Sequence, residues 1–346
     1  MFQPRYQVSP QLLRSIKRIT ILVHELNHQQ LTNVQLAQLL SEARVTSSYA
    51  STSIEGNPLP LTEVRRVLKN RPEQLHQSEQ EVLNYNQVLI QLHDQLAGQP
   101  SPAFTTDLLL QIHRGVTAGL LPSHQVGAWR QEPVVVHEPR SGGIVYLPPD
   151  HQDAAHLMAE LVGFVQAQRH TLDALLLAGI FHKQFVVIHP FIDGNGRTTR
   201  LATNLLLADL GLNFFNLVSF ENYYNQNVTH YFQRVGVFDN YYDLVETLDF
   251  TTWLEYFADG ILDELLRLEK SLRQATATPA VRLQAYHQQL LAYIDQQGFI
   301  TDRDYAKLTE RAKATRSLDF KKLIELGLIE RHGSGRSIYY RRAKRV

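Results

Sequence analysis

The sequence predicts a mainly α-helical fold, and three observations support this prediction. Apolar residues recur at three- and four-residue steps in long segments such as Leu31–Tyr49 and Thr252–Leu272, which is the spacing of amphipathic helices. Only one segment in the body of the chain, residues 127–149, has the composition of a β-hairpin. The C-terminal residues 281–346 combine three helical segments with a second, glycine-tipped hairpin.

Composition and charge fit a globular protein. The 346 residues are 44% apolar and include no cysteine, which excludes disulfides and thiol chemistry. No apolar stretch approaches the ~20 residues that cross a bilayer, and the first residues lack the basic start and apolar run of a signal peptide. We therefore expect a cytoplasmic protein without membrane contact. The formal net charge is zero, but residues 281–346 hold 14 Lys and Arg against 7 Asp and Glu.

The segment Ser51–Pro58, STSIEGNP, ends the helix whose pattern begins at Leu31–Tyr49. Because Ser51 and Glu55 are four residues apart, they share one face of that helix. Gly56 and the two residues after it stop the helix. On its own, this segment fits a helix end that carries either an exposed acid or a carboxylate partner for a guanidinium group.

The predicted hairpin of the body has two short strands. Val134–His137 and Ile144–Leu147 are mostly β-branched or aromatic, and residues 141–143, Ser-Gly-Gly, supply the turn. The hairpin is either purely structural or covers a binding site.

The most informative segment is His189–Arg200, HPFIDGNGRTTR. Gly194 and Gly196 permit positive φ and remove Cβ atoms, so that backbone N–H groups can converge on a phosphate, and Asn195 adds a side-chain donor. The helix that follows directs the unpaired N–H groups of its first turn, and the positive end of its dipole, at the same anion.

Four charged or titratable side chains complete a polyphosphate site. Arg197 and Arg200 are three apart on one helical face, and guanidinium groups bind phosphate oxygens in forked pairs. Asp193 would repel the phosphates unless a cation intervened, so we expect Mg²⁺, or Mn²⁺ in its place. His189 titrates near neutrality and is the candidate base. The alternative is a helix–turn–helix connection with a hydrogen-bonded histidine and solvated arginines.

The segment fills every fixed position of H-P-F-x-[DE]-G-N-G-R-x-x-R, and the chain therefore resembles the Fic family of protein adenylyltransferases. The resemblance implies that His189 deprotonates a Ser, Thr or Tyr hydroxyl of a target protein, which attacks the α-phosphate of ATP and takes AMP. It places the metal on Asp193. It assigns the phosphates to the remaining motif residues, Gly194, Asn195, Gly196, Arg197 and Arg200. The phosphate-transferring branch of the family has lysine at position 196, so glycine there favours transfer of AMP.

The segment Ser51–Gly56 resembles the family's inhibitory motif, [ST]-x-x-x-E-[GN]. This resemblance implies that Glu55 pairs with Arg200, occupies the guanidinium that the γ-phosphate needs, and leaves ATP in a pose unsuited to in-line attack. We call this expected inhibitory contact the brake. Its residues are Ser51 and Glu55, and Glu55 thereby also belongs to the nucleotide site.

Two further residues are candidates for the nucleoside. Asn227–Phe232 resembles the family's Asn-x-x-x-Tyr-Tyr stretch, whose first tyrosine lines the nucleotide pocket, and this assigns Tyr231. Asn240 is the second candidate. The body hairpin resembles the family's flap, which captures an extended target segment by main-chain pairing.

One other motif matches a known metal-binding pattern. His24–His28, HELNH, matches the H-E-x-x-H pattern of zinc metalloproteases. With 15 histidines in the chain the match is easily met, and no evident third ligand completes the site. Because Ile19–Leu31 has the pattern of an ordinary amphipathic helix, we favour a structural role.

We expect three regions: residues 1–100, a helical region with the inhibitory motif; residues 101–274, a Fic-type helical domain with one flap hairpin; and residues 281–346, a winged helix-turn-helix domain. In winged helices the third helix enters the major groove and the wing contacts phosphate. DNA is therefore one expected partner of the last region, and protein contact or dimerisation is the alternative. The basic residues that would meet DNA are Lys313, Arg316, Lys321, Lys322, Arg331, Arg336, Arg341 and Arg342.

Three functions remain open. The first is a protein adenylyltransferase held inactive by Glu55. The second uses the same site in reverse, with Glu55 positioning water to remove AMP from a modified protein. The third is a DNA-binding regulator whose Fic domain senses nucleotide. A homodimer is expected only by analogy with the family.

Overall fold

A computed structural model of the protein describes residues 2–29, 31–72, 74–97, 103–137, 143–212, 215–277, 283–333 and 335–343. Most of these residues are helical, which confirms the predicted fold class. The helices are α1 (Pro10–Asn27), α2 (Asn33–Ile54), α3 (Leu61–Asn70), α4 (Gln77–Ala97), α5 (Thr106–Val116), α6 (His151–Gln168), α7 (Ala174–Ile188), α8 (Asn195–Leu207), α9 (Glu221–Gln226), α10 (Val228–Val235), α11 (Tyr241–Leu244), α12 (Thr251–Ala277), α13 (Ala285–Gln297), α14 (Asp302–Leu308) and α15 (Lys313–Glu325). The strands are β1 (Val136–His137), β2 (Ile144–Leu147), β3 (Asp239–Asn240), β4 (Ile329–His332) and β5 (Tyr339–Arg342).

The chain divides into two compact units. The first comprises residues 1–28 and 44–268, and the second comprises residues 29–43 and 269–346. Helices α2 and α12 each contribute residues to both units. The three regions expected from the sequence stay a prediction.

Helix α7 is the centre of the first unit, because its sequence ALLLAGIFHKQFVVI is apolar on nearly every side. It packs against α6 and α8, and α8 in turn packs against α4 and α5. Gly179 of α7 leaves room for α12, since a Cβ there would lie 2.6 Å from a methyl group of Leu254. The indole N–H of Trp253 donates to the Gly179 carbonyl at 2.7 Å. These contacts pack α7, the helix that precedes His189, closely against α12.

The predicted body hairpin is confirmed, because β1 pairs antiparallel with β2. Its first strand is shorter than predicted and begins at Val136, and residues 141 and 142 of the expected turn lie outside the described residues. β2 also pairs in parallel with β3. Tyr146 of β2 is buried with Val187 and Tyr241, and its hydroxyl donates to the Val187 carbonyl at 2.9 Å.

The ends of α2 and α12 can be compared with the helix ends predicted from the sequence. α2 ends at Ile54, one residue before the predicted end at Glu55, and Gly56 adopts φ 90°, a conformation that favours glycine. The helix predicted at Thr252–Leu272 is longer and ends at Ala277, because the alanines at 275 and 277 are the strongest helix formers.

The second unit contains α13, α14, α15 and the antiparallel pair β4–β5, which confirms the predicted order of three helices and a hairpin. Thr301 caps α14, since its hydroxyl accepts the N–H of Asp304. The buried apolar residues of this unit include Leu290, Ile294, Ile300, Phe320, Leu323 and Ile329. The winged-helix assignment itself stays a prediction.

The H-E-x-x-H match lies at the end of α1. The His24 and His28 rings are 4.6 Å apart, and Nδ1 of His28 donates to the His24 carbonyl at 2.7 Å. Across the described ranges, no group of three or more His, Asp or Glu is placed to hold a metal ion. Nor does any helix in the described part of the chain have the length and apolar character needed to cross a membrane.

Candidate functional site

His189 occupies the junction between α7 and the motif loop. It adopts a left-handed conformation, with φ 51° and ψ 57°, and caps α7 through its N–H bond to the Phe185 carbonyl. Its Nδ1 lies 3.3 Å from the Val186 carbonyl. Because a carbonyl only accepts, Nδ1 is the donor and Nε2 is left as the basic nitrogen. Burial lowers the pKa of His189, so the ring is neutral at physiological pH.

Arg130, which precedes the flap, fixes the backbone of this junction. Its side chain is almost fully buried, and Nε donates to the His189 carbonyl at 2.9 Å. The Arg130 N–H donates to the Pro190 carbonyl at 3.0 Å, and Nη2 donates to the Pro149 carbonyl. One guanidinium thus connects the candidate base to the residue that follows the flap.

An aromatic stack fixes the middle of the motif loop. The Phe191 ring lies against His113, with 3.7 Å between ring centroids and an interplanar angle of 3°, and against Trp129 at 4.9 Å. The N–H of Gly127 donates to Nδ1 of His113, so His113 carries its proton on Nε2 and donates to the Asp193 carbonyl at 3.0 Å. Burial lowers the pKa of His113 to about 4, which keeps this neutral tautomer.

The loop leads directly into α8. Gly194 is the N-cap with φ 79°, and no side chain caps the helix. Uncapped N–H groups in a first helical turn are suited to bind an anion, and this role stays a prediction. Asn195 is buried, and its carboxamide bonds to the N–H and the carbonyl of Phe191 at 2.9 and 2.8 Å. Its side chain thus closes the loop, so a nucleotide-binding role for Asn195 rests on its backbone.

Both arginines of the motif are buried, with relative exposures of 2% for Arg197 and 0% for Arg200. Nη2 of Arg197 donates to Asp193 at 2.7 Å, and Nη1 lies 3.7 Å from Glu81 of α4. Within the described residues, Nε and Nη1 of Arg197 make no hydrogen bond. A buried guanidinium with unused donors is suited to bind an anion.

Arg200 contacts the end of α2 through three hydrogen bonds. Its Nε donates to the Ser51 hydroxyl at 2.8 Å, and Nη2 donates to the Ser51 carbonyl at 2.9 Å and to Glu55 Oε1 at 2.7 Å. The predicted pairing of Glu55 with Arg200 is therefore present in the structure. Burial alone would lower the pKa of Arg200, but Glu55, Tyr231 and Tyr85 raise it above its ordinary value. Arg200 is thus held fully charged.

Gly196 is the residue that lets Glu55 come so close. A Cβ at this position would lie 2.0 Å from Glu55 Oε1 and 2.9 Å from Nη1 of Arg200. The carboxylate therefore lies directly against the first turn of α8, where the phosphate is expected. Any larger residue at 196 is incompatible with this position of Glu55.

Of the two nucleoside candidates, Tyr231 lies close enough to Arg200 and Glu55 for their charges to affect its pKa. Tyr231 is buried, stacks on Tyr224 with 4.9 Å between ring centroids, and its hydroxyl lies 2.9 Å from Nε2 of His182. Burial raises the pKa of Tyr231 to about 12. Asn240 of β3 accepts the Tyr242 N–H at 2.9 Å and so caps α11. Neither role toward a nucleoside is tested, and both stay predictions.

Sequence reasoning missed three residues of the site: Glu81, His113 and Arg130. Glu81 and His113 lie on α4 and α5, whose amphipathic patterns mark no single residue for function. Arg130 lies just before the strands of the predicted flap hairpin, where its sequence context suggests an ordinary surface cation. Its buried guanidinium donates to the carbonyls of His189, Glu132 and Pro149, and the first and last of these are distant from Arg130 along the chain.

Part of the chain is similar to known proteins. Residues 103–207 match the model of the Fic/DOC family. "Protein adenylyltransferase Fic" of Drosophila erecta is 32% identical over 184 residues, which is 52% of this chain and 35% of that protein. "Protein adenylyltransferase fic-1" of Caenorhabditis elegans is 27% identical over 208 residues, which is 59% of this chain and 39% of that protein. The chain thus spans less than half the length of these curated relatives.

Solved structures share the fold. A Fic family protein from Desulfovibrio desulfuricans aligns with a TM-score of 0.65 and 22% identity, over 100% of this chain and 99% of that chain. Fic-1 of C. elegans aligns with a TM-score of 0.60 and 21% identity, over 76% of this chain and 73% of that chain. At these identities the alignments show the architecture, and the chemistry has to be argued from the residues.

Proposed function

Since the chain carries a Fic domain over residues 103–207, we propose that the protein transfers AMP from ATP to a Ser, Thr or Tyr hydroxyl of a target protein. We further propose that Glu55 holds this activity in check. The observation that carries both proposals is the 2.7 Å contact between Glu55 and Arg200, beside an uncapped helix N-terminus and a neutral histidine.

His189 is the base of the proposed reaction. Its Nδ1–H is committed to the Val186 carbonyl, so Nε2 takes the proton of the incoming hydroxyl. The hydroxyl oxygen then forms a bond to the α-phosphorus, and the bond between that phosphorus and the pyrophosphate oxygen breaks. The protonated imidazole is held by the junction that Arg130 fixes.

The first turn of α8 and the two arginines stabilise the charge of the leaving pyrophosphate. The uncapped N–H groups provide backbone donors, and Arg197 offers the two donors that are unused in the resting protein. Arg200 can serve the γ-phosphate only after Glu55 moves away, because both need the same guanidinium. This competition is the proposed brake.

The residues present fit a hard divalent cation, Mg²⁺ or Mn²⁺. Asp193 is the carboxylate of the motif; its side chain is half exposed, and its Oδ2 is paired with Arg197. One carboxylate together with phosphate oxygens is a usual Mg²⁺ set. When bound, such an ion would neutralise phosphate charge and orient the nucleotide.

Radiolabelled ATP tests the reaction, the brake and the transferred group together. Glu55→Gly protein is incubated with lysate and ATP labelled at either the α- or the γ-phosphate, beside wild type and the double variant with His189→Ala. We expect α-label on protein, at least about tenfold more with Glu55→Gly than with wild type, which corresponds to roughly 1.4 kcal/mol. Equal labelling of wild type and Glu55→Gly would exclude the brake. Transfer of the γ-label without the α-label, lost in the double variant with His189→Ala, would exclude AMP transfer.

Removal of AMP from a modified protein is the second candidate. Glu55 favours it, because its side chain is 28% exposed and can reach water while Oε1 holds Arg200. A modified target incubated with wild type and with Glu55→Gly distinguishes the two directions. De-AMPylation requires loss of AMP with wild type and no loss with the variant.

A DNA-binding regulator that senses nucleotide is the third candidate. The second unit offers less free basic charge than its sequence suggests, since Arg316 pairs with Asp302 and Arg342 pairs with Asp295. Lys313, Lys321 and Arg331 remain exposed. A salt-sensitive shift of duplex DNA by the full chain would support this function. A homodimer and a cytoplasmic location remain predictions.

A further inference from the structure

A second carboxylate lies between the end of α2 and the motif. Glu81 Oε2 accepts a hydrogen bond from Nδ2 of Asn57 at 2.8 Å, and Glu81 Oε1 lies 3.7 Å from Nη1 of Arg197. The side chains of Glu81 and Arg197 are only 17% and 3% exposed. The mechanism proposed above gives this contact no role.

Asn57 is the fixed point beyond the brake. Its Nδ2 also donates to the Ser78 carbonyl at 2.9 Å, and its Oδ1 accepts the Leu59 N–H at 3.1 Å. Its own N–H donates to the Thr52 carbonyl at 3.1 Å. Only Gly56 separates Asn57 from Glu55, so the position of Asn57 restricts where the Glu55 carboxylate can lie.

The Glu81 contact is solvent-accessible on one side. A cavity of about 380 Å³ is lined by the end of α2 and the start of α4, and both Glu55 and Glu81 lie in its wall. Glu81 can therefore release Asn57 without unfolding of the helices around it. The lining residues are Glu55, Gly56, Asn57, Pro58, His76, Gln77, Ser78 and Glu81.

Glu81 also connects the end of α2 to Arg197, the other arginine that is proposed to bind phosphate. Arg197 bonds to Asp193 but leaves Nε and Nη1 without hydrogen bonds among the described residues. At 3.7 Å the attraction of Glu81 is electrostatic rather than a formed hydrogen bond. An anion that binds Arg197 would compete with Glu81 for the positive charge of the Arg197 guanidinium.

We propose that Glu81 is a positioning residue of the brake. By holding Asn57, it fixes the end of α2 and thereby keeps Glu55 on Arg200. This inference rests on the proposed function, because it concerns how the inhibitory carboxylate is held. It adds a contact that is separate from the arginine that Glu55 occupies.

An exchange of amide and carboxylate tests the contact. Asn57→Asp places a carboxylate against Glu81, and we expect AMP transfer to rise about fivefold, which corresponds to roughly 1 kcal/mol. Adding Glu81→Gln restores a donor and an acceptor between positions 57 and 81 with their roles reversed, but not the bond of Asn57 to the Ser78 carbonyl, so the rate should fall part of the way back toward wild type. Glu79→Gln is the matched control, because Glu79 lies on the same helix and its side chain accepts the His76 N–H rather than a bond from Asn57; its rate should equal wild type.

Two further measurements separate positioning from a general structural effect. In the Glu55→Gly background the brake is absent, so Asn57→Asp should leave the transfer rate unchanged. Amide hydrogen exchange of residues 52–59 in the full chain should accelerate in Asn57→Asp and slow again in the double variant. Exchange and rate at wild-type values in Asn57→Asp, no recovery in the double variant, or an equal rise in the Glu55→Gly background would each overturn the proposal. If Glu55→Gly transfers no AMP at all, the proposed function fails, and hydrogen exchange alone then decides whether Glu81 holds the end of α2.

Discussion

Replacement of Gly196 by alanine provides a quantitative test of the Glu55 contact, because it should change sign between two backgrounds. The new Cβ would lie 2.0 Å from Glu55 Oε1, so the carboxylate must leave its 2.7 Å bond to Arg200. Loss of one partner from a buried ion pair costs about 3–5 kcal/mol. We reduce this to about 2 kcal/mol, because the Glu55 side chain is 28% exposed and solvent screens the pair.

Two smaller contributions accompany this loss. Alanine is favoured over glycine within a helix by about 0.5–1 kcal/mol. The new Cβ would also lie 2.9 Å from Nη1 of Arg200, which requires a shift of a few tenths of an ångström in either background. In wild type, Gly196→Ala should therefore destabilise the first unit by about 1–1.5 kcal/mol. In Glu55→Ala protein it should be neutral or stabilising.

Tryptophan fluorescence can follow this unfolding selectively. The chain has two tryptophans, and Trp129 and Trp253 both belong to the first unit. Urea titration of the four proteins of the cycle should give a coupling of about 2 kcal/mol between positions 55 and 196. The same loss of stability in both backgrounds would refute the inference that Gly196 exists to admit Glu55.

Two predictions concern the base and its support. In Glu55→Gly protein the AMP-transfer rate should be constant above about pH 7 and should fall on acidification below the ordinary histidine range near 6.5. The reason is that burial lowers the pKa of His189 and only the neutral ring accepts a proton. A rate that rises between pH 7 and 8.5 would contradict this assignment. Arg130→Lys replaces the planar guanidinium, which donates to the His189, Glu132 and Pro149 carbonyls, by a compact ammonium that cannot reproduce this geometry. In the same Glu55→Gly background, kcat should therefore fall about 10–100-fold with ATP affinity retained. An unchanged kcat would show that Arg130 does not position His189.

The sequence was sufficient for the contacts that depend on local spacing or on the family motif. Ser51 and Glu55 share a face because they are four apart, and Gly56 ends α2 because its φ of 90° suits glycine. The pairing of Glu55 with Arg200 followed from the resemblance to a known inhibitory motif. Periodicity alone could not have identified Arg200 as the partner, since 145 positions separate the two residues.

Contacts between helices could not be predicted in this way. Glu81 and His113 face the motif because α4 and α5 pack on α8, and a single sequence shows that a helix is amphipathic without showing which helix it meets. Asn195 shows the same limit within the motif. Its family role suggested a phosphate donor, whereas in the structure its carboxamide bonds to the backbone of Phe191.

The distribution of donors on Arg200 is compatible with both of its proposed roles, in the brake and in nucleotide binding. Nε and Nη2 are committed to Ser51 and Glu55, while Nη1 makes no hydrogen bond among the described residues. Nη1 lies 2.9 Å from the Cβ position of Gly196, beside the first turn of α8. When Glu55 leaves, Ser51 still orients the guanidinium through Nε. Because Arg200 is already charged, buried and oriented, the proposed binding of phosphate would require little reorganisation beyond the departure of one carboxylate.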